Sequence, residues 1–167
     1  HLLSGPSARL TYATAGIPTA SLSWSGGALD DGGGIYIAPP AYPVDVNSLE
    51  FYLSTTGTDF YIAQVYDDNG TNNGPGTLLF TDTIQPANQT VSAWNTVTLP
   101  SPIQITSGGF YVAWLQGGAT VTLGNEINGP ISRRTYEILG GQWAGYRDQE
   151  TTDLFIAANI SCYPCST

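Results

Sequence analysis

Residues 46–84 read VNSLEFYLSTTGTDFYIAQVYDDNGTNNGPGTLLFTDTI. In Leu49-Glu50-Phe51-Tyr52-Leu53 the odd positions are apolar while Glu50 points the other way. A period of two is that of a strand with one face on a core. Three runs rich in Val, Ile, Tyr, Phe and Thr fall at 46–55, 59–67 and 77–84. Between the second and third stand Asp, Asn and Gly and then Gly74-Pro75-Gly76, which is turn chemistry.

The same rhythm holds outward in both directions. Strands are expected near 8–14, 20–25, 34–38, 93–99, 109–116, 119–124, 132–138 and 153–160. Gly26-Gly27, Gly32-Gly33-Gly34, Pro39-Pro40, Gly108-Gly109 and Gly140-Gly141 punctuate the gaps. Phe110–Leu115 is apolar on both faces, so it reads as a central strand covered on both sides. In residues 153–158 the even positions read as core. No helical periodicity is present. The expectation is an all-β, antiparallel two-sheet β-sandwich, jelly-roll-like, as one domain over residues 1–167. Residues 1–8 read as loosely anchored and 162–167 as a tail.

The composition narrows the class of partner. Of 167 residues, 41% are hydrophobic, enough for a globular core. Only 10% are charged, against the usual ~25%. The basic residues are Arg9, Arg133, Arg134 and Arg147, and the formal charge is −9. Nucleic acid and anionic membrane surfaces both need a basic footprint that this chain lacks. No apolar run reaches the ~18 residues of a membrane span, so no membrane insertion is expected. The chain begins at His1 and has no methionine, as expected of a processed or excised piece. Asn69-Gly-Thr, Asn88-Gln-Thr and Asn159-Ile-Ser match the glycosylation sequon. With Cys162-x-x-Cys165, read as a small disulfide, they point to an extracellular or cell-surface protein. A redox reading of the cysteines would need a βαβ setting, and a zinc reading two more ligands.

Two acidic clusters carry possible metal chemistry. Asp67, Asp68, Asn69, Asn72 and Asn73 lie among glycines between two strands, and hard oxygen donors in such a loop suit calcium. Asp30 and Asp31 stand among Gly26, Gly27 and Gly32–Gly34, where a cation would relieve the repulsion of adjacent carboxylates. The same residue types are also ordinary hairpin and loop residues. Aromatic side chains are the second candidate, because sugar rings stack on exposed aromatic faces while amides and carboxylates take their hydroxyls. Trp143 and Tyr146 sit in Gly140-Gly141-Gln142-Trp143-Ala144-Gly145-Tyr146, and Trp94 and Trp24 flank turns. Each could equally cap the edge of the core. Trp114 lies in the apolar run and reads as core.

The order Trp24, Asp30-Asp31-Gly32, Ala41-Tyr42-Pro43, Leu49-Glu50-Phe51-Tyr52, Phe60–Asp68, Gly74–Leu79, Trp94-Asn95-Thr96-Val97 and Gly109–Ala113 resembles jelly-roll accessory domains of secreted bacterial proteins. The cleaved-adhesin domains of gingipain-type proteases are the best-known relatives in style. That resemblance implies a non-catalytic sandwich, often calcium-stabilised, that binds or displays something for a larger secreted protein. The lack of lysine and the Cys-x-x-Cys ending depart from it.

Elimination bears on catalysis. The only imidazole is His1, so a Ser-His-Asp or Cys-His arrangement has no interior histidine. Paired carboxylates for glycoside hydrolysis need two acidic residues, and Glu50, Glu126 and Glu137 are the candidates. The expected function is therefore a non-enzymatic binding or adhesion module for a glycan or cell-surface protein, with structural calcium. The rival is a self-assembling surface subunit that donates residues 1–14 as a strand to a neighbouring copy.

Overall fold

The computed structural model describes residues 7–128, 131–145 and 152–162. Its strands are β1 (Ser7–Thr11), β2 (Ala20–Leu22), β3 (Gly32–Ile37), β4 (Val44–Thr55), β5 (Tyr61–Asp67), β6 (Leu78–Ile84), β7 (Ala93–Ile105), β8 (Phe110–Gln116), β9 (Thr122–Glu126), β10 (Thr135–Leu139), β11 (Gln142–Gly145), β12 (Asp153–Leu154) and β13 (Ile156–Cys162). Two 3₁₀ turns, Thr71–Asn73 and Pro86–Asn88, are the only helical pieces among the described residues.

The strands form two antiparallel sheets packed as a sandwich. One runs β1-β13-β4-β9-β12, with β2 added on β9 and β7 on β4. The other runs β11-β10-β3-β8-β5-β6. Alternation decides what lies between them. Leu49, Phe51 and Leu53 from β4 and Ile156, Ala158 and Ile160 from β13 meet Tyr61, Ala63 and Val65 from β5 and Phe110, Val112 and Trp114 from β8 in one buried cluster. The opposite face of β8 carries Ala113 and Leu115, which form a second, smaller cluster with Ile138, Ile62, Tyr66 and Trp143. This is the second covering expected of a central strand.

Three details differ from the sequence reading. Gly32-Gly33-Gly34 is not a turn but the start of β3, paired with Leu115, Trp114 and Ala113. The glycines are there because bulky groups occupy both sides: a Cβ on Gly33 would stand 2.9 Å from the Trp24 ring and one on Gly34 2.6 Å from the Trp143 ring. The hairpin strand β11 was not expected, since its four residues are too short to show a period. Its turn, Gly140-Gly141, has positive φ at both residues, as a tight two-residue hairpin requires. Finally, the strand expected near 8–14 begins at Ser7, inside the segment read as loose. It pairs with β13 of its own chain, from Ser7 opposite Ser161 to Thr11 opposite Ala157.

Candidate functional site

The outer face of the six-stranded sheet gathers aromatic side chains. Tyr66, Tyr111 and Tyr36 stand directly across from one another on β5, β8 and β3. Tyr36 and Tyr111 have ring centroids 4.8 Å apart. Trp143 reaches from β11 across β10 and lies over Gly34, meeting Tyr111 at 5.4 Å, Tyr66 at 5.6 Å and Tyr136 at 6.1 Å. The Arg134 guanidinium sits over the Tyr36 ring at 5.8 Å. Edge-to-face contacts dominate, the arrangement that ring quadrupoles favour. Tyr36, Tyr66, Tyr136 and Trp143 are half-buried, so part of each ring meets solvent.

The acidic loops hold this face in place. Asp68 Oδ2 accepts hydrogen bonds from the Tyr36 hydroxyl (2.9 Å) and the Gly109 amide (2.8 Å). The Tyr111 hydroxyl donates to the Asn73 carbonyl, 2.9 Å away. Asn72 and Asn73 adopt positive φ, which asparagine tolerates well, and so bend the loop back onto the sheet. Asn69 closes the loop by accepting from the Thr77 amide and donating to its hydroxyl. Asp67 Oδ1 accepts from the Asp68 amide. Asp31 is buried, and its Oδ1 accepts from the Gly140 amide at 2.9 Å, pinning the hairpin that carries Trp143. Asp30, at positive φ, is exposed. Among the described residues no three His, Cys, Asp or Glu side chains stand close enough to share a metal ion.

The electrostatics follow from this packing. Burial raises the Tyr36 hydroxyl pKa, reinforced by its bond to Asp68 and that residue's charge. Burial, with Tyr136 alongside, pushes Tyr111 up to about 12. Burial also raises Tyr66. All three phenols therefore remain hydrogen-bond donors at neutral pH. The Tyr66 hydroxyl donates to Gln64 Oε1 (2.8 Å), whose Nε2 donates to the Thr81 hydroxyl (3.3 Å).

Of the three described aromatic side chains expected to bind, the structure brings only Trp143 to this face. Tyr146 lies outside the described residues. Trp24 is a correction: it is buried in the core beside Trp114, because Gly33 leaves room for its ring. Trp94 is half-buried on the other sheet and both its faces are engaged. It stacks on Phe155 (5.4 Å), and Arg9 lies over it at 4.3 Å. Tyr36, Tyr66, Tyr111 and Tyr136 were not singled out from sequence. Their alternation was visible, but their adjacency depends on register between distant strands. Cys162 is buried in the core, and Cys165 lies outside the described residues.

The three candidate glutamates do not converge. Glu50 on β4 accepts from Arg9 Nε (3.0 Å) and Asn159 Nδ2 (2.8 Å). Glu137 is on β10 of the other sheet. Glu126, 1% exposed, accepts from the amides of Thr14 and Ala15 at 2.6 and 2.8 Å. Its cross-strand partner is Asp153, equally buried and bonded to the Ser132 amide. That buried carboxylate pair anchors two loops.

No protein-family model matches the chain, and no curated protein matches it by sequence. Solved structures share its fold. One is the clostridial cysteine protease Cwp84 after propeptide cleavage, with a TM-score of 0.61 and 12% identity over 93% of this chain. A second contains the cysteine protease and lectin-like domains of Cwp84, a surface layer associated protein of Clostridium difficile, with a TM-score of 0.58 and 12% identity over the same share. The chain spans only 40% and 36% of those two chains.

Proposed function

We propose that this protein is a non-catalytic, extracellular or cell-surface binding module whose ligand is a glycan, taken on the outer face of the six-stranded sheet. The observation that carries the reading is Trp143, half-buried over Gly34 and ringed by Tyr66, Tyr111 and Tyr136, with Tyr36 packed on the far side of Tyr111. Aromatic faces stack on sugar rings, and the adjoining amide and hydroxyl groups match sugar hydroxyls. The fold neighbours are consistent with this. An all-β chain that covers about two-fifths of Cwp84 corresponds, we infer, to its lectin-like part and not to its protease. A net charge of −9 favours a neutral ligand over a polyanion.

A structural calcium ion is a secondary proposal. A polar cavity of about 210 Å³ lined by Asp67, Asp68, Asn69 and Gln104 supplies oxygen donors. A calcium-dependent rise in melting temperature, reversed by EDTA, supports it. No change would leave the hydrogen bonds alone to close the loop. The pairing of Ser7–Thr11 with β13 of the same chain favours the binding module over the strand-donation rival.

The decisive experiment is native electrophoresis through gels containing neutral polysaccharides (β-glucan, xylan, mannan or glycol chitin). The protein should be retarded by at least one, and Trp143→Ala should abolish the retardation while far-UV circular dichroism stays unchanged. Retardation that survives in Trp143→Ala would refute this site.

A further inference from the structure

The aromatic cluster occupies only part of the outer face. Register places the remainder in rows that cross the strands. One row runs Thr81, Gln64, Ala113, Gly34, Tyr136 on β6, β5, β8, β3 and β10. The row beside it runs Thr83, Ile62, Leu115, Gly32, Ile138, Trp143. Ala113 and Gly34 form a low floor, and the Trp143 indole fills it as far as Tyr66. Beyond the ring stand Gln64, then Thr81 and Thr83, both exposed. Gln64 links the two zones, since it accepts from Tyr66 and donates to Thr81.

From these rows we infer that the site takes an extended, uncharged glycan chain lying across the strands, with its stacked sugars on Trp143 and Tyr136 and further sugars over Gln64, Thr81 and Thr83. This rests on the glycan reading above and deepens it. Six strands at a spacing of ~4.8 Å give a strip about 24 Å long, room for several sugar rings in a row. The polar end of the strip offers one amide and two hydroxyl groups, each able both to donate and to accept, and no formal charge. These are partners for neutral hydroxyls and not for carboxylates or sulfates. The alternation of Ile62, Gln64 and Tyr66 keeps all these groups on one face, so one chain can touch both zones.

Length dependence tests it. The purified 167-residue protein is titrated calorimetrically with the tri- and hexasaccharides of cellulose, chitin, xylan and mannan, alongside hexagalacturonate as an anionic control. The expected result is that the hexasaccharide of one neutral series binds about tenfold or more tighter than its trisaccharide, a difference well above error. Thr81→Ala/Thr83→Ala should weaken the hexasaccharide about tenfold more than the trisaccharide. Trp143→Ala should weaken both, and Tyr136→Ala serves as the second variant if Trp143→Ala is unfolded. Equal affinity of tri- and hexasaccharide, still lost in Trp143→Ala, overturns the extended-chain inference and leaves the glycan site standing. Preference for hexagalacturonate overturns the neutral ligand class. If no neutral oligosaccharide binds, the extended-chain inference and the glycan reading fall together.

Discussion

Gly34 on β3 is the seat of the Trp143 ring, and replacing it with alanine measures how tightly that seat is built. A methyl group there would stand 2.6 Å from the indole and 2.9 Å from the Val112 carbonyl oxygen. Overpacking of this kind costs about 1–3 kcal/mol. Alanine restricts the unfolded chain more than glycine does, which offsets about 0.4–1 kcal/mol. The net expectation for Gly34→Ala is a loss of about 1–2 kcal/mol. For a chain of this size that lowers the melting temperature by roughly 2–8 °C. The shorter contact is with the ring, so the share of the cost that the ring imposes should vanish once the ring is gone. Gly34→Ala made in a Trp143→Ala background should therefore cost less than in the wild type, with the contact to the Val112 carbonyl oxygen left. Urea denaturation of the wild type, both single variants and the double variant yields the coupling energy, expected at about 1 kcal/mol. Additivity within about 0.5 kcal/mol would refute the reasoning, because the methyl group would then not be meeting the indole.

Three further outcomes are expected. Burial, opposed by the Ser132 hydrogen bonds and reinforced by the charge of Glu126, raises the Asp153 pKa above its ordinary 3.8. A raised native pKa favours folding below that ordinary value and loses its contribution as pH climbs through the native one. Asp153→Asn should therefore be at least as stable as wild type at neutral pH, with the advantage fading in acid; a variant weaker at pH 7 than at pH 3, relative to wild type, would contradict this. Tyr36, Tyr61 and Tyr111 all titrate above the usual 10.0, so their phenolate absorbance should appear only at higher pH, with stability falling as it does. Early ionisation of all ten tyrosines in the folded protein would count against the buried hydroxyls. Arg9→Ala removes the contact over Trp94 and the partly exposed bridge to Glu50, and should cost about 1 kcal/mol by chemical denaturation, somewhat more at low salt.

Much of the fold was legible in the chain itself. Period-two alternation in Leu49–Leu53 marked a strand with a core face, and the doubly apolar Phe110–Leu115 marked the central strand. Both are local properties, carried by neighbouring residues and the geometry of one strand. The short strand β11 and the strand character of Gly32–Gly34 were not legible, because a glycine's use depends on what packs over it. The site was legible only in fragments. Asp68 and Asn73 were read as candidate metal ligands, yet in the fold they fasten Tyr36 and Tyr111, and Asp31 fastens the hairpin of Trp143.

Residue chemistry and spacing by themselves therefore determined an all-β chain with a low-charge, acidic surface and strands of known facing. Only the tertiary structure decided which glycines were seats, which tryptophans were core and which tyrosines were neighbours. Facing is set within a strand by the alternation of its own bonds. Adjacency is set by register between strands such as β3, β5 and β8, whose pairing depends on contacts between residues far apart in the chain.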